Sequence, residues 1–490
     1  MENPAKRALL ASLLFGEDQL PARIGREAYS YRFVYRAFAP LLARWGTTSE
    51  VTRPESRLDY AIWQAQQQGL YALHLSFLPL HHAYLTAKAP NIVFPFWEFP
   101  DIPNAGFDNN PRNNWSRIAA HADLILVASQ SARHAFLKAG VRTPIRVVPV
   151  PIESEYFAVE PWQRGQRVRI NCQAYVFPQP QLPAPASPSP WVKSALRQLG
   201  WRERVRHVYK SYVKRYLPAR LDKYMTVAIR AAAAVRHAQQ LDTRIPYRPS
   251  PSLDLSGVVY TTILNPFDPR KNWNDLLSGF LLALGDCQDA TLVVKLVVCP
   301  KLAPAALNGM VGFYQEMGLQ HRCKLAFVTD YLTHSQMVDL TRASSFYVNT
   351  ARAEGACLPL QASLAAGRPG IAPGHTAFAD YFQDNLGFLV SSHPEPACWP
   401  HDPAQRLTTS WHRLVWQSLH DQFRASYQVA RQDDARYQEL AERGRGQMHA
   451  YAHNNAVWPL LSAALDSVAP ASTQGSNALL QPFARVRKAS

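Results

Sequence analysis

Short, nearly unbroken apolar runs alternate with segments of helical spacing in two stretches of the chain. The first stretch holds Tyr71-Ala72-Leu73-His74-Leu75-Ser76-Phe77 and Asn91-Ile92-Val93-Phe94-Pro95-Phe96-Trp97. Leu124 to Ser129 follows, then a helical segment from Ser131 to Ala139 stopped by Gly140, then Ile145 to Val150. Strands this uniformly apolar are buried on both faces, which predicts a parallel sheet covered by helices. The pattern resumes at Val258 to Leu264. Trp273 to Leu284 has helical spacing, with Leu276, Leu277, Phe280, Leu281 and Leu284 on its apolar side. Thr291 to Val298, Leu325 to Val328 and Ser345 to Asn349 complete a second doubly wound α/β sheet, and helical sequence runs from Trp411 to Tyr451.

Between the two patterns the composition changes. From Val176 to Pro190 six of fifteen residues are proline, which suits an extended linker and no core. Trp201 to Arg230 is basic and helical, with Trp201, Val205, Tyr209, Tyr212 and Tyr216 on one stripe. Pro218 divides it into two helices. Nine basic residues against Glu203 and Asp222 give this window a net charge of +7, out of +16 for the 490 residues. These shifts divide the chain into an N-terminal domain (1–165), a linker and basic insertion (166–252), a second domain (253–440), and a C-terminal helix with a loose tail (441–490).

With 47% apolar and 18% charged residues the chain can bury two cores, so wholesale disorder is excluded. No apolar run approaches the roughly 20 residues of a membrane-spanning helix. The stretch from Ala8 to Phe15 ends at Glu17 and Asp18 without a cleavage site, so no secretory signal is expected. Cys172, Cys287, Cys299, Cys323, Cys357 and Cys398 form no CxxC pair. They read as reduced thiols of a cytoplasmic protein rather than zinc ligands.

Two segments carry candidate chemistry. Ala351 to Pro369 follows a buried strand, opens with Glu354-Gly355, and enters a short apolar helix ending at Gly367. A helix N-terminus at a strand's carboxyl end presents free N–H groups to a phosphate or to sugar hydroxyls. The alternative is a plain strand-turn-helix with a surface Glu. Asn265 to Trp273 also follows a strand and opens a helix, with Asn272 or Asn274 as cap and Arg270-Lys271 suited to a diphosphate. The alternative there is solvated charge on a loop.

The order of these segments resembles the donor domain of GT-B glycosyltransferases, in particular the retaining glycosyltransferase family 4. That family carries a Glu-Gly-x-x-Leu-Pro-x-x-Glu-Ala-x-Ala-x-Gly segment followed by Pro. Glu354, Gly355, Leu358, Pro359, Ala365, Gly367 and Pro369 match it. His375 to Asp380 and Asn385 to Val390 resemble its closing loop and strand. Asp123 to Ser129 and Ile24-Gly25-Arg26 resemble its N-terminal domain. The resemblance implies two Rossmann-like domains facing a cleft, with the basic helical insertion between them. It implies sugar transfer from a nucleotide-sugar with no bound metal or other cofactor. Glu354 would hold donor-sugar hydroxyls and Gly355, Ala356, Cys357 and Leu358 would cradle the sugar and distal phosphate. Arg270 and Lys271 would neutralise the departing diphosphate, and Asn265 would lie at the donor end. Base contacts are expected around Phe327 to Tyr331, at Thr329 and Tyr331.

Two positions depart from the family pattern. Its second Glu, expected on the ribose, is Ala362 here, with Gln361 beside it, and a frequent Ser is Ala351. A catalytically silent binding or scaffold protein on the same fold is therefore the alternative. On the acceptor side Gly25, His74, Glu98 and Ser129 are candidates, with His81, His82, Trp97 and Asp101 nearby. Expected partners are a nucleotide-sugar and a saccharide or lipid-linked acceptor, as in polysaccharide or lipopolysaccharide synthesis. For Trp201 to Arg230 the partner is an anionic membrane surface on the inner face of the cell membrane, with a packed hairpin as the alternative. Nucleic acid is not expected.

Overall fold

The computed structural model describes residues 7–106, 110–178, 247–399 and 407–469. The first sheet has six strands: β1 (Arg7–Leu13), β2 (Thr47–Thr52), β3 (Tyr71–Ser76), β4 (Asn91–Val93), β5 (Leu124–Val127) and β6 (Ile145–Val147). Their order is β2-β1-β3-β4-β5-β6 and every pairing is parallel. Helices α1 (Tyr29–Trp45), α2 (Pro54–Gln67) and α3 (Gln130–Lys138) accompany it.

After β7 (Arg167–Ile170), β8 (Ala174–Phe177) and β9 (Leu253–Ser256), the second sheet is built from β10 (Val258–Leu264), β11 (Ala290–Leu296), β12 (Lys324–Val328), β13 (Phe346–Val348), β14 (Gly370–Pro373) and β15 (Gly387–Val390). Its order is β15-β14-β13-β10-β11-β12-β8, parallel except for β8, which closes the edge antiparallel to β12. The strand order reverses between β10 and β13. Open α/β sheets bind ligands at the carboxyl ends beside such a reversal. Helices α4 (Trp273–Leu284), α5 (Ala303–Glu316), α6 (His334–Ala343) and α7 (Leu358–Ala365) lie between these strands in the chain. The apolar stripe expected of α4 is buried at all five positions.

Hairpin β16 (Ser392–Cys398) and β17 (Thr408–Leu414) precedes α8 (Trp416–Gln432), α9 (Asp434–Ala452) and α10 (Asn454–Asp466). Trp411 therefore lies in a strand, and the expected long helical run begins at Trp416. Pairing with β16, a segment the local pattern does not show, decides the outcome there. Likewise Val176 and Phe177, at the start of the proline-rich segment, belong to the edge strand β8. The basic segment Trp201 to Arg230 and the tail after Pro470 lie outside the described residues. Among those described, no helix is long and apolar enough to cross a membrane.

The two halves are joined twice. The chain leaves the first sheet after β6, and α10 brings it back. Val457, Leu461, Ala464 and Leu465 of α10 pack into the core of the first sheet beside Leu42 and Trp45. Asp466 fixes the helix end by accepting from Trp45 Nε1 and Arg7, both at 2.9 Å. Leu461 is 1% exposed, so Leu461→Ala should lower unfolding stability by about 2–5 kcal/mol, the usual cost of a buried leucine cavity. Urea denaturation of the two proteins measures it. An unchanged midpoint would show that α10 does not fasten the halves.

Candidate functional site

The site grows from the two loops beside the strand-order reversal. After β10, Asn265 closes a turn by accepting the Phe267 N–H at 3.0 Å, and Asp268 caps a 3-10 turn by accepting from Arg270 N at 3.1 Å. Pro269 suits the first position of that turn. Asn272 takes a left-handed conformation (φ 49°) and starts α4, so it is the cap position expected, though its side chain caps nothing and donates to Asp275. This turn projects Arg270 and Lys271 towards the loop after β13.

That second loop is braced at several points. Asn349 Oδ1 accepts the Ala351 N–H at 2.7 Å, and its Nδ2 donates to Cys357 Sγ at 3.0 Å. Thr376 Oγ1 accepts the Glu354 N–H at 3.1 Å. The Ala356 carbonyl accepts from Tyr381 Oη at 2.9 Å and Gln361 Nε2 at 3.0 Å. Burial pushes the Cys357 thiol up to about 12, so it stays protonated. The N–H groups of Gly355 to Leu358 have no protein acceptor among the described residues and remain free at the start of α7.

The charges meet in a buried seam. Lys271 Nζ donates to Glu354 Oε1, and Glu354 is 6% exposed. Burial alone would depress Lys271, but Glu354 reverses this and the ammonium lies above its ordinary value. Arg270 donates to the Ala353 carbonyl and to Asp268 Oδ2, both at 2.7 Å, and its Nε lies 3.2 Å from Glu98 Oε1. Burial opposes the charge on Arg270, and the three acids around it raise its pKa above the ordinary value. Arg270 is thus a clamp, tying the second half to Glu98 of the first. Lys271 pairs with one acid among the described residues, Glu354, which could yield to a ligand.

These groups line a cavity of about 360 Å³ between the two sheets, within the range of small-molecule sites. Of the expected residues, Glu354, Arg270, Lys271, Gly355, Ala356, Cys357, Leu358, Gln361, Asn265, Tyr331 and Glu98 line it, as does Ala362. Gly25 lies at its edge and accepts from Asn265 Nδ2 at 3.0 Å. Its φ of +74° requires glycine, and a Cβ there would stand 2.3 Å from the Val297 carbonyl oxygen. Gly355 is close but less tight: its Cβ would stand 3.1 Å from the Trp97 carbonyl oxygen. Sequence reasoning missed Tyr29, Arg36, Glu153, Lys295 and His334, which also line the cavity. Tyr29 stood one turn beyond the Gly25 motif, which could have flagged it. Lys295 was visible only as the single charge in an apolar strand.

No family model matches the sequence, and no curated protein matches it. Solved structures do. A glycosyltransferase of Rickettsia africae superposes with a TM-score of 0.51 at 9% identity, over 95% of this chain and 100% of the other. Sucrose-phosphate synthase of Thermosynechococcus elongatus gives 0.50 at 12% identity, over 94% and 98%. Two Rossmann-like domains across a cleft are thus the GT-B fold.

Seven expected residues are absent from the lining, besides Gly25 at the edge: His74, His81, His82, Trp97, Asp101, Ser129 and Thr329. Ser129 caps α3 by accepting the Ala132 N–H at 3.2 Å, and Thr329 is buried at the end of β12. Both are small polar residues at strand ends whose hydroxyls the fold uses or covers. His74 faces the interior of the first sheet, with Nε2 2.8 Å from Ser12 Oγ and Nδ1 3.0 Å from Asn91 Oδ1. At the cleft edge Glu27, His81 and His82 each bring one ligand atom within 4.8 Å of the others. Trp115 Nε1 donates to His81 Nδ1 at 3.3 Å. In the neutral ring this leaves the proton on Nε2, which faces Glu27 at 2.6 Å and offers no lone pair to an ion.

Burial pulls His74 down to about 4, against 6.5 for a free imidazole. Between those values the unfolded chain holds a proton that the native ring refuses. The contribution is therefore complete above about pH 6.5 and is lost as pH falls through 4. It amounts to about 3 kcal/mol. Denaturation midpoints measured from pH 7 to 4 should fall more steeply for the wild type than for His74→Phe. Parallel profiles would contradict this assignment.

Proposed function

We propose that the chain is a glycosyltransferase that moves a sugar from a nucleotide-sugar to a saccharide or lipid-linked acceptor. The observation that carries this is the Lys271–Glu354 pair at the strand-order reversal, beside the free N–H groups of α7. A donor would part the pair: Lys271 takes the diphosphate and Glu354 takes sugar hydroxyls. As the anomeric C–O bond breaks, its electrons pass to the diphosphate oxygen, an acceptor hydroxyl oxygen bonds to the anomeric carbon, and the hydroxyl proton passes to the departing diphosphate. The ammonium and the α7 amides stabilise that charge where it develops. This arrangement supplies positive charge without a metal. Retention of anomeric configuration is proposed from the resemblance to family 4. Glu98, across the seam on Arg270, lies on the acceptor side.

A role in cell-surface polysaccharide or lipopolysaccharide synthesis fits the basic window, which would hold the protein on an anionic membrane face near a lipid-linked acceptor. The second reading, a silent binding protein, rests on Ala362. Glu354→Gln separates the two: it should lower sugar transfer or sugar-nucleotide hydrolysis by about 10²-fold or more while the protein stays folded. Turnover that survives would sink the site assignment. In liposome sedimentation, deletion of 196–235 should abolish binding to anionic vesicles. Equal binding with and without the segment would refute the membrane role.

A further inference from the structure

Lys295 sits on β11 in the middle of the second sheet, in register with Ile263 of β10 and Val328 of β12. It is 3% exposed and lines the cavity. Its ammonium donates to the Leu296 carbonyl at 2.6 Å, and its other two N–H groups have no acceptor among the described residues. The other lysine and arginines of the cavity are committed: Lys271 to Glu354, Arg270 to Asp268 and Glu98, and Arg36 to Glu153 at 2.9 Å. Asp330 spends one oxygen on the Gln173 N–H at 2.6 Å and lies beyond ion-pair distance of Lys295. Burial brings the lysine down to about 8. A buried ammonium with unused donors needs an acceptor from a ligand or from water in the cavity.

The sheet order says which part of the ligand arrives there. Along the carboxyl edge the sequence is β13 with Glu354, β10 with Lys271, β11 with Lys295, and β12 with Tyr331. This rests on the donor-site reading above. With sugar at Glu354 and diphosphate at Lys271, covalent order puts the nucleoside at Lys295 and Tyr331. An ammonium only donates. Uracil, thymine and guanine offer ring carbonyls that only accept, whereas adenine sets an amino donor on the corresponding edge. We infer that Lys295 is a specificity-determining residue that holds a ring carbonyl of the donor's base, selecting an oxo-base nucleotide against adenine.

Calorimetric titration of the full chain with UDP, TDP, GDP and ADP tests this. The wild type should bind one of the first three at least about tenfold tighter than ADP. Lys295→Met, of similar length and apolar, should erase most of that preference and change ADP affinity by less than about threefold. A preference for ADP in the wild type, an unchanged preference in the variant, or equal weakening of all four would overturn the inference alone. Wild-type protein that binds none of the four would overturn the donor-site reading and the inference together. The wild-type preference needs no variant, so a misfolded Lys295→Met leaves the inference open to refutation.

Discussion

The cleft depends on five charged side chains held in one buried seam. Asp268, Arg270 and Lys271 come from the loop after β10, Glu354 from the loop after β13, and Glu98 from the opposite half. Buried charge persists only when paired, and removing one partner leaves the other stranded at a cost of several kcal/mol. Three carboxylates outnumber two cations here. In the proposed reading a diphosphate takes Lys271 from Glu354, and Glu354 accepts from sugar hydroxyls in exchange. With a nucleoside diphosphate alone, water in the cavity takes the place of those hydroxyls on the carboxylate.

The seam exists because the two halves approach to backbone contact. Gly25 against Val297 leaves no room for a Cβ, and Gly355 against Trp97 leaves little. The hairpin β16–β17 adds a third contact: Trp399 packs 5.5 Å from Trp97, and Thr409 donates to Asp101 Oδ2 at 3.2 Å. With α10 docked on the first sheet, these contacts fix Glu98 where Arg270 can use it. Packing far from the charges thus sets their geometry.

Elements whose pattern follows from burial were legible in the sequence. The α4 stripe and the runs of β10 and β11 were found because a doubly covered sheet leaves little freedom in residue choice. The Glu354-Gly355 turn was found because strand, turn and helix follow one another locally. Pairing between distant segments was not legible. Ser392 to Cys398 contains two prolines and reads as loop, yet it forms β16 because an edge strand tolerates them. Facing was equally hidden: His74 and Lys295 are each the one basic residue in a mostly apolar strand. One turns into the sheet core and the other into the cavity, a difference made by the helices packed on each face.

The departure at Ala362 looks different once the charges of the cavity are placed. Gln361 does not replace the missing acid. Its Nε2 braces the Ala356 carbonyl, and its buried Oε1 has no protein partner. The carboxylates lining the cavity are Glu98, Glu153, Asp268 and Glu354, matched in number by Arg36, Arg270, Lys271 and Lys295. A glutamate at 362 would tip that balance negative. It would also offer Lys295 a competing acid in the same cavity. The alanine leaves the cavity's acids and cations equal in number, and Lys295 without an acid within ion-pair distance among the described residues. In the proposed reading, those are the properties of a donor site whose nucleoside contact lies at Lys295 rather than at position 362.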